Sequence, residues 1–556
     1  MEGAVGRTFI RQTSRHIGFP PGWEMSRFSG MQHRILSFLL RSGLLFVAAV
    51  FLSGGPVCAA ERPNFLFIIF DDMSWNTAGA YGCEWVKTPN LDRVAREGVK
   101  FEHAFTSNPK CSPCRASILT GRNTWQLEEL SVHNSIFPKK WAVFPDLLEA
   151  SGYEVGLTGK GWGPGDHEGQ GWTRNPAGPS FDQQKSEPPA SGIGKNDYAG
   201  NFNDFLTQRK NKEAPFSFWM GFSEPHRSYE LHSGLRLGKN LEEIEVPPYF
   251  PDVRAVRSDL ADYAVEVEWA DSHIGKALDL LEKSGELENT LVIVTSDHGM
   301  PFPFVKGQIH EDGFRLPFVA RWGAGIKPGR VVQDFVNVRD IAPTFLELAG
   351  VEKHPQITGT SLVPLLTSDQ SGWITGDRRV MLTGKERHDL GRPNHWGYPV
   401  RAIRTPEFLY VRNYHPERWP ACDPETNFGN CDDSPTKEVI KLLGGYYFNA
   451  SFGFRPADEL YQLSTDPQGV RNLANDPAFA ETMADLKEQM LETLKAEGDP
   501  RALGYGAIFD TYEYVKKSPK DYGAWLRNQD EQLSNEAERL SQEKKTKPGA
   551  AKPVKP

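Results

Sequence analysis

The segment Asn64-Phe65-Leu66-Phe67-Ile68-Ile69-Phe70 is a continuous apolar run that is followed at once by two carboxylates, Asp71 and Asp72. An apolar run of this length without polar alternation is typical of a strand that is buried on both faces of a parallel sheet. A second such run, Thr290-Leu291-Val292-Ile293-Val294-Thr295, lies shortly before Asp297-His298. Because the carboxyl ends of parallel strands meet at one edge of a sheet, we expect the two acidic pairs to converge there.

Strands that alternate with helices predict the fold class. Further buried strands are predicted at residues 155–157 and 216–222, and a long helix is predicted between residue 222 and the strand at 290–295. The apolar stripe of this helix has helical spacing and consists of Leu260, Ala264, Val267, Ile274, Leu278 and Leu281. The alternation predicts an α/β fold in which a large, mostly parallel sheet is flanked by helices.

The pattern changes near residue 370. Short extended segments at 379–383, 400–403 and 408–411 precede a closing helix at 480–496, and they predict a smaller C-terminal antiparallel α+β domain. The end of the chain is polar and then rich in lysine and proline, which predicts disorder. The expected parts of the chain are an N-terminal extension with a signal peptide at 1–60, the main domain at 61–370, the smaller domain at 371–528 and a disordered tail at 529–556.

The composition indicates a globular protein and argues against a nucleic-acid-binding one. The chain has 556 residues, of which 39% are hydrophobic and 24% are charged, and its net charge is −9. These values suit a globular protein of two domains. The negative net charge argues against a nucleic-acid-binding protein, which would carry a basic face. Of the six cysteines, Cys422 and Cys431 lie close together in the sequence and form either a local disulfide or two free thiols.

The N-terminal region is typical of an export signal. Basic residues flank an apolar region whose core is 44–52, and small residues follow at 58–60. This run is too short to cross a bilayer comfortably, so no stable membrane span is expected. The alternatives are an uncleaved anchor and a lipoprotein attached at Cys58, and Met25 or Met31 is a candidate for the true start. We expect an exported protein, located in a periplasm, outside the cell or in a lumen.

The segment Cys111-Ser112-Pro113-Cys114-Arg115 opens a predicted helix that ends near Gly121. Cys111 would lie at the N-terminus of this helix, where the helix dipole and free backbone N–H groups attract anions. Arg115 follows one turn later and can point to the same place. A nucleophile beside an arginine at a helix N-terminus suits a sulfate or phosphate ester. From these residues alone Cys111 is itself a candidate nucleophile, because a thiolate would also be activated there.

The two acidic pairs at the strand ends predict a metal site. Adjacent carboxylates such as Asp71 and Asp72 suit a hard divalent cation with oxygen ligands. Each pair taken alone is more often an acidic helix cap at a strand-to-helix turn. Two pairs at the ends of parallel strands favour a metal site that both pairs share.

The spacing of Cys111, Pro113, Arg115 and Thr120-Gly121 resembles the signature of the sulfatase family. In that family a formylglycine-generating enzyme oxidises the cysteine to formylglycine, and the fold is alkaline-phosphatase-like. The resemblance implies that residues 61–370 form the catalytic domain and that the metal is Ca²⁺ or Mg²⁺. The ligands it implies are Asp71, Asp72, the modified Cys111, Asp297 and His298.

Three further segments resemble the family where it places functional basic residues. These segments are Gly159-Lys160, Glu224-Pro225-His226-Arg227 and Lys306-Gly307. The resemblance implies that Lys160 and Lys306 neutralise the sulfuryl oxygens. It also implies that Arg115 and the metal stabilise the oxygen of the nucleophile, and that His226 protonates the leaving group.

One position departs from the family pattern. Trp162 stands where many sulfatases have a histidine that takes a proton during sulfate release. His167 lies in the same glycine-rich loop, and either this residue or another group must act instead.

A finer resemblance concerns the substrate. Pro225-His226-Arg227, Glu386-Arg387-His388 and residues 455–461 look most like heparan N-sulfatases (sulfamidases). The implied substrate is a sulfated saccharide, with N-sulfoglucosamine at a nonreducing end as first choice, and Arg387 and His388 would contact the sugar. The alternatives are an O-sulfatase acting on other sulfated glycans, a phosphomonoester or phosphonate hydrolase of the same superfamily, and a noncatalytic binder of sulfated glycans.

Overall fold

Three β-sheets organise the protein. The structure is a computed structural model that describes residues 62–518 and 520–546, so the expectations for residues 1–60 and 547–556 lie outside the described residues. In chain order the strands are β1 (Asn64–Phe70), β2 (Val99–Phe101), β3 (Ala104–Phe105), β4 (Glu154–Gly159), β5 (Phe216–Gly221), β6 (Thr290–Ser296), β7 (Arg315–Leu316), β8 (Phe318–Arg321), β9 (Arg330–Val332), β10 (Val336–Asn337), β11 (Met381–Lys385), β12 (Val400–Arg404), β13 (Phe408–Asn413) and β14 (Asp458–Gln462).

The largest sheet has seven strands in the order β4-β5-β1-β6-β8-β2-β9. β4, β5, β1 and β6 are parallel to one another, whereas β8 is antiparallel to both of its neighbours. A small sheet has the order β10-β3-β7, and a four-stranded antiparallel sheet has the order β11-β12-β13-β14. The predicted fold class is therefore confirmed: a large, mostly parallel sheet is flanked by helices and is accompanied by a smaller antiparallel sheet. The described residues belong to one compact unit.

The α-helices lie between the strands of the large sheet and around the smaller one. Their bounds are Pro89–Arg96, Cys111–Thr120, Phe144–Ala150, Tyr198–Gln208, Ser233–Arg236, Arg254–Ser284, Glu311–Phe314, Ile341–Leu348, Val363–Leu366, Pro435–Leu443, Gly445–Ser451, Ala480–Ala496 and Tyr522–Thr546. Within the described residues, no helix is long and apolar enough to cross a lipid bilayer.

The first strand is buried because helices cover both faces of the large sheet. Alternate residues of β1 lie in two different hydrophobic cores, as the period of two in a strand requires. The core that contains Leu66 also contains the apolar stripe of the helix Arg254–Ser284. The core that contains Phe65 also contains Ile118 of the helix Cys111–Thr120. This packing fixes the carboxyl ends of β1 and β6 beside the start of that second helix.

The structure differs from one expectation about the C-terminal part and decides between two alternatives for another. The predicted disorder is not found at residues 529–546, because the helix Tyr522–Thr546 covers them. That segment is rich in glutamate and glutamine, which favour helix, and Arg539 pairs with Glu536 one turn away. Cys422 and Cys431 are both free and buried, so of the two alternatives the structure has the free thiols.

Candidate active site

The ends of β1 and β6 bring the predicted carboxylates together. The backbone N–H of Asp72 donates to Asp297 Oδ1 at 3.1 Å, and His298 Nε2 lies 3.0 Å from Asp72 Oδ1. Asp72 has a φ of 75°, a left-handed conformation that is uncommon for a residue with a side chain. This backbone turn directs Asp72 back toward the end of β6, so both acidic pairs converge as predicted.

Cys111 is the first residue of the helix Cys111–Thr120 and is only 2% exposed. Its Sγ lies 3.3 Å from His298 Nε2. The residue before it, Lys110, is extended, and the helix ends at Gly121 in the left-handed conformation with a φ of 63°. A side chain at Gly121 would also meet Ile357 at 2.7 Å, so glycine is required there. The helix therefore delivers Cys111 to the carboxylate cluster with its N-terminus facing that cluster.

Arg115 holds the cluster from within the protein. Its side chain is fully buried, and Nε donates to Asp297 Oδ2 at 2.9 Å. Nη1 donates to the carbonyl oxygen of Lys160 at 2.7 Å, and Nη2 donates to Asp71 Oδ1 at 3.5 Å. All of these bonds go to protein atoms, so Arg115 positions two carboxylates and the segment that contains Lys160.

Two lysines approach the cluster from different loops. Lys160 Nζ donates to Asp71 Oδ2, and Lys306 Nζ donates to Asp72 Oδ2 at 2.6 Å. Lys306 also lies 2.6 Å from Asp432 Oδ2. Each predicted lysine therefore sits beside one member of the first acidic pair, with its charge available to an anion that binds there.

Burial and neighbouring charges shift the pKa values of these carboxylates and of His298. Burial opposes ionisation of Asp71, but Lys160 and Arg115 outweigh it and hold the pKa of Asp71 well below its usual value. Burial raises the pKa of Asp297 to about 7, against the opposing effect of His298. Burial also disfavours charge on His298, yet Asp297 and Asp72 raise its pKa to about 9. The raised pKa values of Asp297 and His298 are what closely packed carboxylates produce in a buried site.

The donor set fits a divalent metal ion. Ligand atoms of Asp71, Cys111, Asp297 and His298 all lie within 4.8 Å of one another. Asp72 Oδ1 is buried and lies 3.0 Å from His298 Nε2, but it accepts no hydrogen bond of good geometry from the described residues. His298 Nδ1 donates to the carbonyl oxygen of Gly299 at 3.1 Å, which leaves Nε2 facing the cluster, as a metal-binding histidine requires. Carboxylate oxygens in this number suit Ca²⁺ or Mg²⁺.

The thiol of Cys111 is placed in an activating environment. Burial and Asp71 raise its pKa, but Lys160, His298 and His133 outweigh them, so the pKa lies well below the usual value for a cysteine. Anionic character at this atom is therefore stabilised by the nearby charges of Lys160 and His298.

A cavity of about 610 Å³ opens onto this cluster. Five of the predicted site residues line it: Asp71, Cys111, Lys160, His226 and Lys306. His226 is the most accessible of them, with 35% of its side chain exposed. Its Nδ1 donates to the carbonyl oxygen of Arg227 at 2.6 Å, and its Nε2 lies 3.9 Å from Asp72 Oδ2. The imidazole is therefore held with Nε2 toward the carboxylates.

Arg387 and His388 do not lie where the sequence predicted. They are 3% and 2% exposed, and neither lines the cavity. Arg387 donates to the carbonyl oxygens of Asp510 and Tyr512, and His388 Nε2 lies 2.9 Å from Asn108 Oδ1. Their expected contact with the sugar is corrected, because Arg387 bonds within the C-terminal part of the chain and His388 bonds to Asn108 of the main domain.

The next residue, Asp389, does line the cavity, together with Lys110 and His133. Lys110 Nζ donates to Asp389 Oδ2 at 3.1 Å. His133 Nδ1 lies 3.0 Å from the carbonyl oxygen of His388 and 3.3 Å from Asp389 Oδ1. Because a carbonyl only accepts, Nδ1 carries the proton, and the buried Nε2 of His133 has no hydrogen-bond partner among the residues that the structure describes.

Sequence reasoning missed these residues and Asp432, which also lines the cavity. Lys110 directly precedes Cys111, and that adjacency was a usable signal. His133, Asp389 and Asp432 belong to distant segments whose convergence depends on the tertiary fold.

The structure shows what Trp162 and His167 contact near the position where many sulfatases have a histidine. Trp162 is buried, and its Nε1 donates to the carbonyl oxygen of Ser112 at 3.1 Å. Its ring meets Phe137 edge to face with centroids 5.0 Å apart. His167 packs against the far side of this tryptophan and does not line the cavity. Trp162 therefore supports the start of the helix Cys111–Thr120, the signature helix, rather than exchanging protons.

Proteins of known activity resemble this chain over most of its length. It is 27% identical over 494 residues to human N-sulphoglucosamine sulphohydrolase, covering 80% of this chain and 92% of that protein. It is 26% identical over 450 residues to an ulvan-active sulfatase of Formosa agariphila, covering 79% and 81% of the two chains.

Solved structures show the same fold. One is the structure of a protein in complex with its substrate D-glucosamine-2-N,6-O-disulfate, with a TM-score of 0.59 at 22% identity, covering 79% of this chain and 98% of that one. Another is the phosphonate monoester hydrolase of Agrobacterium radiobacter, with a TM-score of 0.58 at 19% identity, covering 78% and 96%. At these identities the likeness is evidence for the fold alone.

A family model assigns the chain directly. The model named Sulfatase matches residues 63–351, which is more than half of the chain. The matched span contains both acidic pairs, the signature helix and the two lysines that meet at the cavity. The chain therefore belongs to the sulfatase family, whose members hydrolyse sulfate esters or sulfamates.

Proposed function

We propose that this sulfatase is an exported enzyme that removes sulfate from a sulfated saccharide, using a formylglycine derived from Cys111 and a divalent metal ion. The first candidate substrate is N-sulfoglucosamine at a nonreducing end. The observation that supports this most strongly is the arrangement of Cys111, Lys160 and Lys306 around one cavity beside three convergent carboxylates.

Asp71, Asp72, Asp297 and His298 would hold the metal, together with the side chain at position 111. When bound, a divalent ion supplies positive charge that polarises a sulfuryl oxygen and lowers the pKa of a coordinated hydroxyl group. Arg115 would keep Asp71 and Asp297 in place, because its bonds to them are buried and charge-assisted. The lysines would then be free to turn from the carboxylates toward the substrate.

The substrate's sulfate group would bind against Lys160 and Lys306. Both ammonium groups line the cavity, and their charges would neutralise the sulfuryl oxygens as negative charge redistributes during cleavage. A formylglycine hydrate at position 111 would supply a hydroxyl nucleophile at the helix N-terminus. In the net reaction water adds across the S–O or S–N bond, and the sugar leaves with a hydroxyl or amino group.

His226 would donate the proton that the leaving oxygen or nitrogen needs. Nδ1 already donates to the carbonyl oxygen of Arg227, so the proton for the leaving group would come from Nε2 of the doubly protonated ring, which lies beside Asp72. His133 would take a proton from the side chain at position 111 when sulfate is released. Its Nε2 is unpartnered, and the bonds made by Nδ1 leave that nitrogen unprotonated in the neutral ring.

The substrate proposal is supported by the relative of human origin that acts on N-sulphoglucosamine. The ulvan-active relative covers a similar share of the chain, so O-sulfated glycans are the alternative. A release assay with N-sulfoglucosamine, O-sulfated sugars and a phosphate or phosphonate ester separates these substrates from one another. Residues 1–60 would direct export, and a formylglycine-generating enzyme would act on the chain during maturation.

The decisive experiment is mass spectrometry of the peptide that contains Cys111, combined with a sulfate-release assay. Protein produced with a formylglycine-generating enzyme should contain this peptide in the aldehyde form or as its hydrate. Cys111→Ala should abolish turnover, whereas Cys83→Ala, a matched change at a half-buried cysteine outside the cavity, should not. Full activity of the Cys111→Ala variant would refute the proposal.

A further inference from the structure

One part of the cavity wall is acidic and lies apart from the sulfate-binding groups. Glu224 and Glu266 line it together with the backbone at Gly192 and Gly194. The charges that shift the pKa of Glu266 come from Glu224, Arg227 and Asp262. The two predicted lysines and the predicted metal-binding carboxylates do not contribute to that shift. This wall and the two lysines line one cavity, so a sugar whose sulfate lies against the lysines can present a hydroxyl group to the wall.

Glu266 is a buried carboxyl group with free hydrogen-bonding capacity. It projects from the middle of the helix Arg254–Ser284 and is 2% exposed. Its Oε2 is buried without a hydrogen-bond partner among the described residues. Unsatisfied buried polar atoms are costly and uncommon, so a group that faces a cavity in this state is suited to a ligand that satisfies it.

The neighbours of Glu266 are already engaged. Glu224 Oε1 accepts from the backbone N–H of Gly194 at 3.0 Å, and Oε2 accepts from the hydroxyl of Tyr198 at 2.7 Å. The guanidinium of Arg227 is held by Asp259 in two bonds of 2.8 and 2.9 Å. Glu224 and Arg227 are therefore occupied by protein partners. Of these side chains, Glu266 is the one that has a carboxyl oxygen left for a ligand at this wall.

Burial and the nearby charge of Glu224 raise the pKa of Glu266 to about 9, so its carboxyl group is neutral at neutral pH. A neutral carboxyl group both donates and accepts a hydrogen bond. It suits a hydroxyl group, which does the same. A second anionic group here would meet Glu224 without a free partner cation, and like charges in such a contact repel one another.

We propose that Glu266 is a specificity-determining residue that binds an uncharged hydroxyl group of the sugar and rejects sugars with a second sulfate or a carboxylate at that position. This inference rests on the proposed function and adds to it. It states that the leaving group is a neutral sugar ring at the wall formed by Glu224 and Glu266.

The experiment compares kcat/KM for N-sulfoglucosamine, glucosamine N,6-disulfate and a small aryl sulfate. The wild-type enzyme should prefer the monosulfated sugar over the disulfated one by about 100-fold or more. Glu266→Gln should lower kcat/KM for the monosulfated sugar by about tenfold, since one buried hydrogen bond is altered, and should leave the aryl sulfate within about twofold. The matched control is Glu282→Gln, which is the same change at an exposed position on the same helix.

The outcomes separate this inference from the proposed function. Absence of any sulfate release from the matured enzyme overturns the proposed function. Sulfate release with a preference for the disulfated sugar, or an equal loss on sugar and aryl sulfate in Glu266→Gln, overturns the role of Glu266 alone. If an O-sulfated sugar is hydrolysed instead, its mono- and disulfated forms provide the same comparison. The wild-type preference tests the inference even if the variant fails to fold.

Discussion

Replacing His133 with alanine should remove most of the activity, whereas replacing His167 should not. His133 lines the cavity with Cys111, and its Nδ1 is oriented by the carbonyl oxygen of His388 and by Asp389. His167 lies behind Trp162 and outside the cavity lining. The two variants therefore distinguish a proton acceptor that the smaller domain orients from one in the glycine-rich loop.

The magnitude follows from what His133 has to do. A positioned proton acceptor contributes about 10²- to 10⁴-fold to a rate, or roughly 3 to 5 kcal/mol of barrier. Its two contacts at 3.0 and 3.3 Å leave Nε2 as the reactive atom, so alanine removes the whole contribution. Asp389→Asn keeps the shape of the side chain and the carbonyl contact of His133, and it should cause a smaller loss, about tenfold.

The assay is steady-state and rapid-mixing kinetics with a chromogenic aryl sulfate. If His133 acts during sulfate release, the first turnover of His133→Ala should stay fast and give a burst of leaving group equal to the enzyme concentration. Later turnovers should then be slow. The fraction of modified Cys111 must be measured by mass spectrometry in each variant, so that incomplete maturation is not mistaken for slow chemistry.

An unaltered kcat in His133→Ala, together with a large loss in His167→Ala, would refute the reasoning. So would a His133→Ala enzyme that loses the burst as well as the later turnovers, because His133 would then be needed for the first step. The melting temperature of each variant shows whether it is folded.

Two further predictions concern the metal and the pH dependence of stability. A chelator should abolish activity and lower the melting temperature, and Ca²⁺ or Mg²⁺ should restore both; stoichiometric metal in both Asp72→Asn and Asp297→Asn would contradict the shared site. Burial lowers the pKa of His273 to about 4, so the folded protein keeps this residue neutral while the unfolded chain binds a proton below about pH 6.5. The free energy of unfolding should therefore fall by up to about 1.4 kcal/mol per pH unit from this residue as the pH drops from about 6.5 to 4. His273→Leu should reduce that slope in denaturant titrations, and an unchanged slope would contradict the assignment.

The large sheet and the signature helix were predictable because local pattern and tertiary structure agree there. The apolar runs at β1 and β6 are buried on both faces, and the closing helix has the predicted bounds, Ala480–Ala496. The convergence of the two acidic pairs followed from one rule about parallel strands. Local signals of this kind depend on residues that are close in sequence, which is why they could be used.

The rest of the site was not predictable from the same signals. Arg387, His388 and Asp389 are consecutive, and only the third reaches the cavity. The direction of each side chain depends on how the segment after β11 packs against Asn108 and the chain near Tyr512, and neither contact is encoded locally. The same holds for Asp432, which reaches Lys306 from a loop more than a hundred residues away.

The burial of Cys111 has a consequence for how active enzyme is produced. A small substrate can enter the cavity, but a residue that is 2% exposed at the start of a packed helix is out of reach of the active site of another protein. If Cys111 is oxidised by a maturing enzyme, as proposed, the oxidation would have to take place before the segments that contain Asp389 and Asp432 close over it. Modification and folding would then compete, and a chain that folded first would stay unmodified and inactive. Slower synthesis or a lower growth temperature should therefore raise the activity per milligram of protein without changing the yield of folded protein.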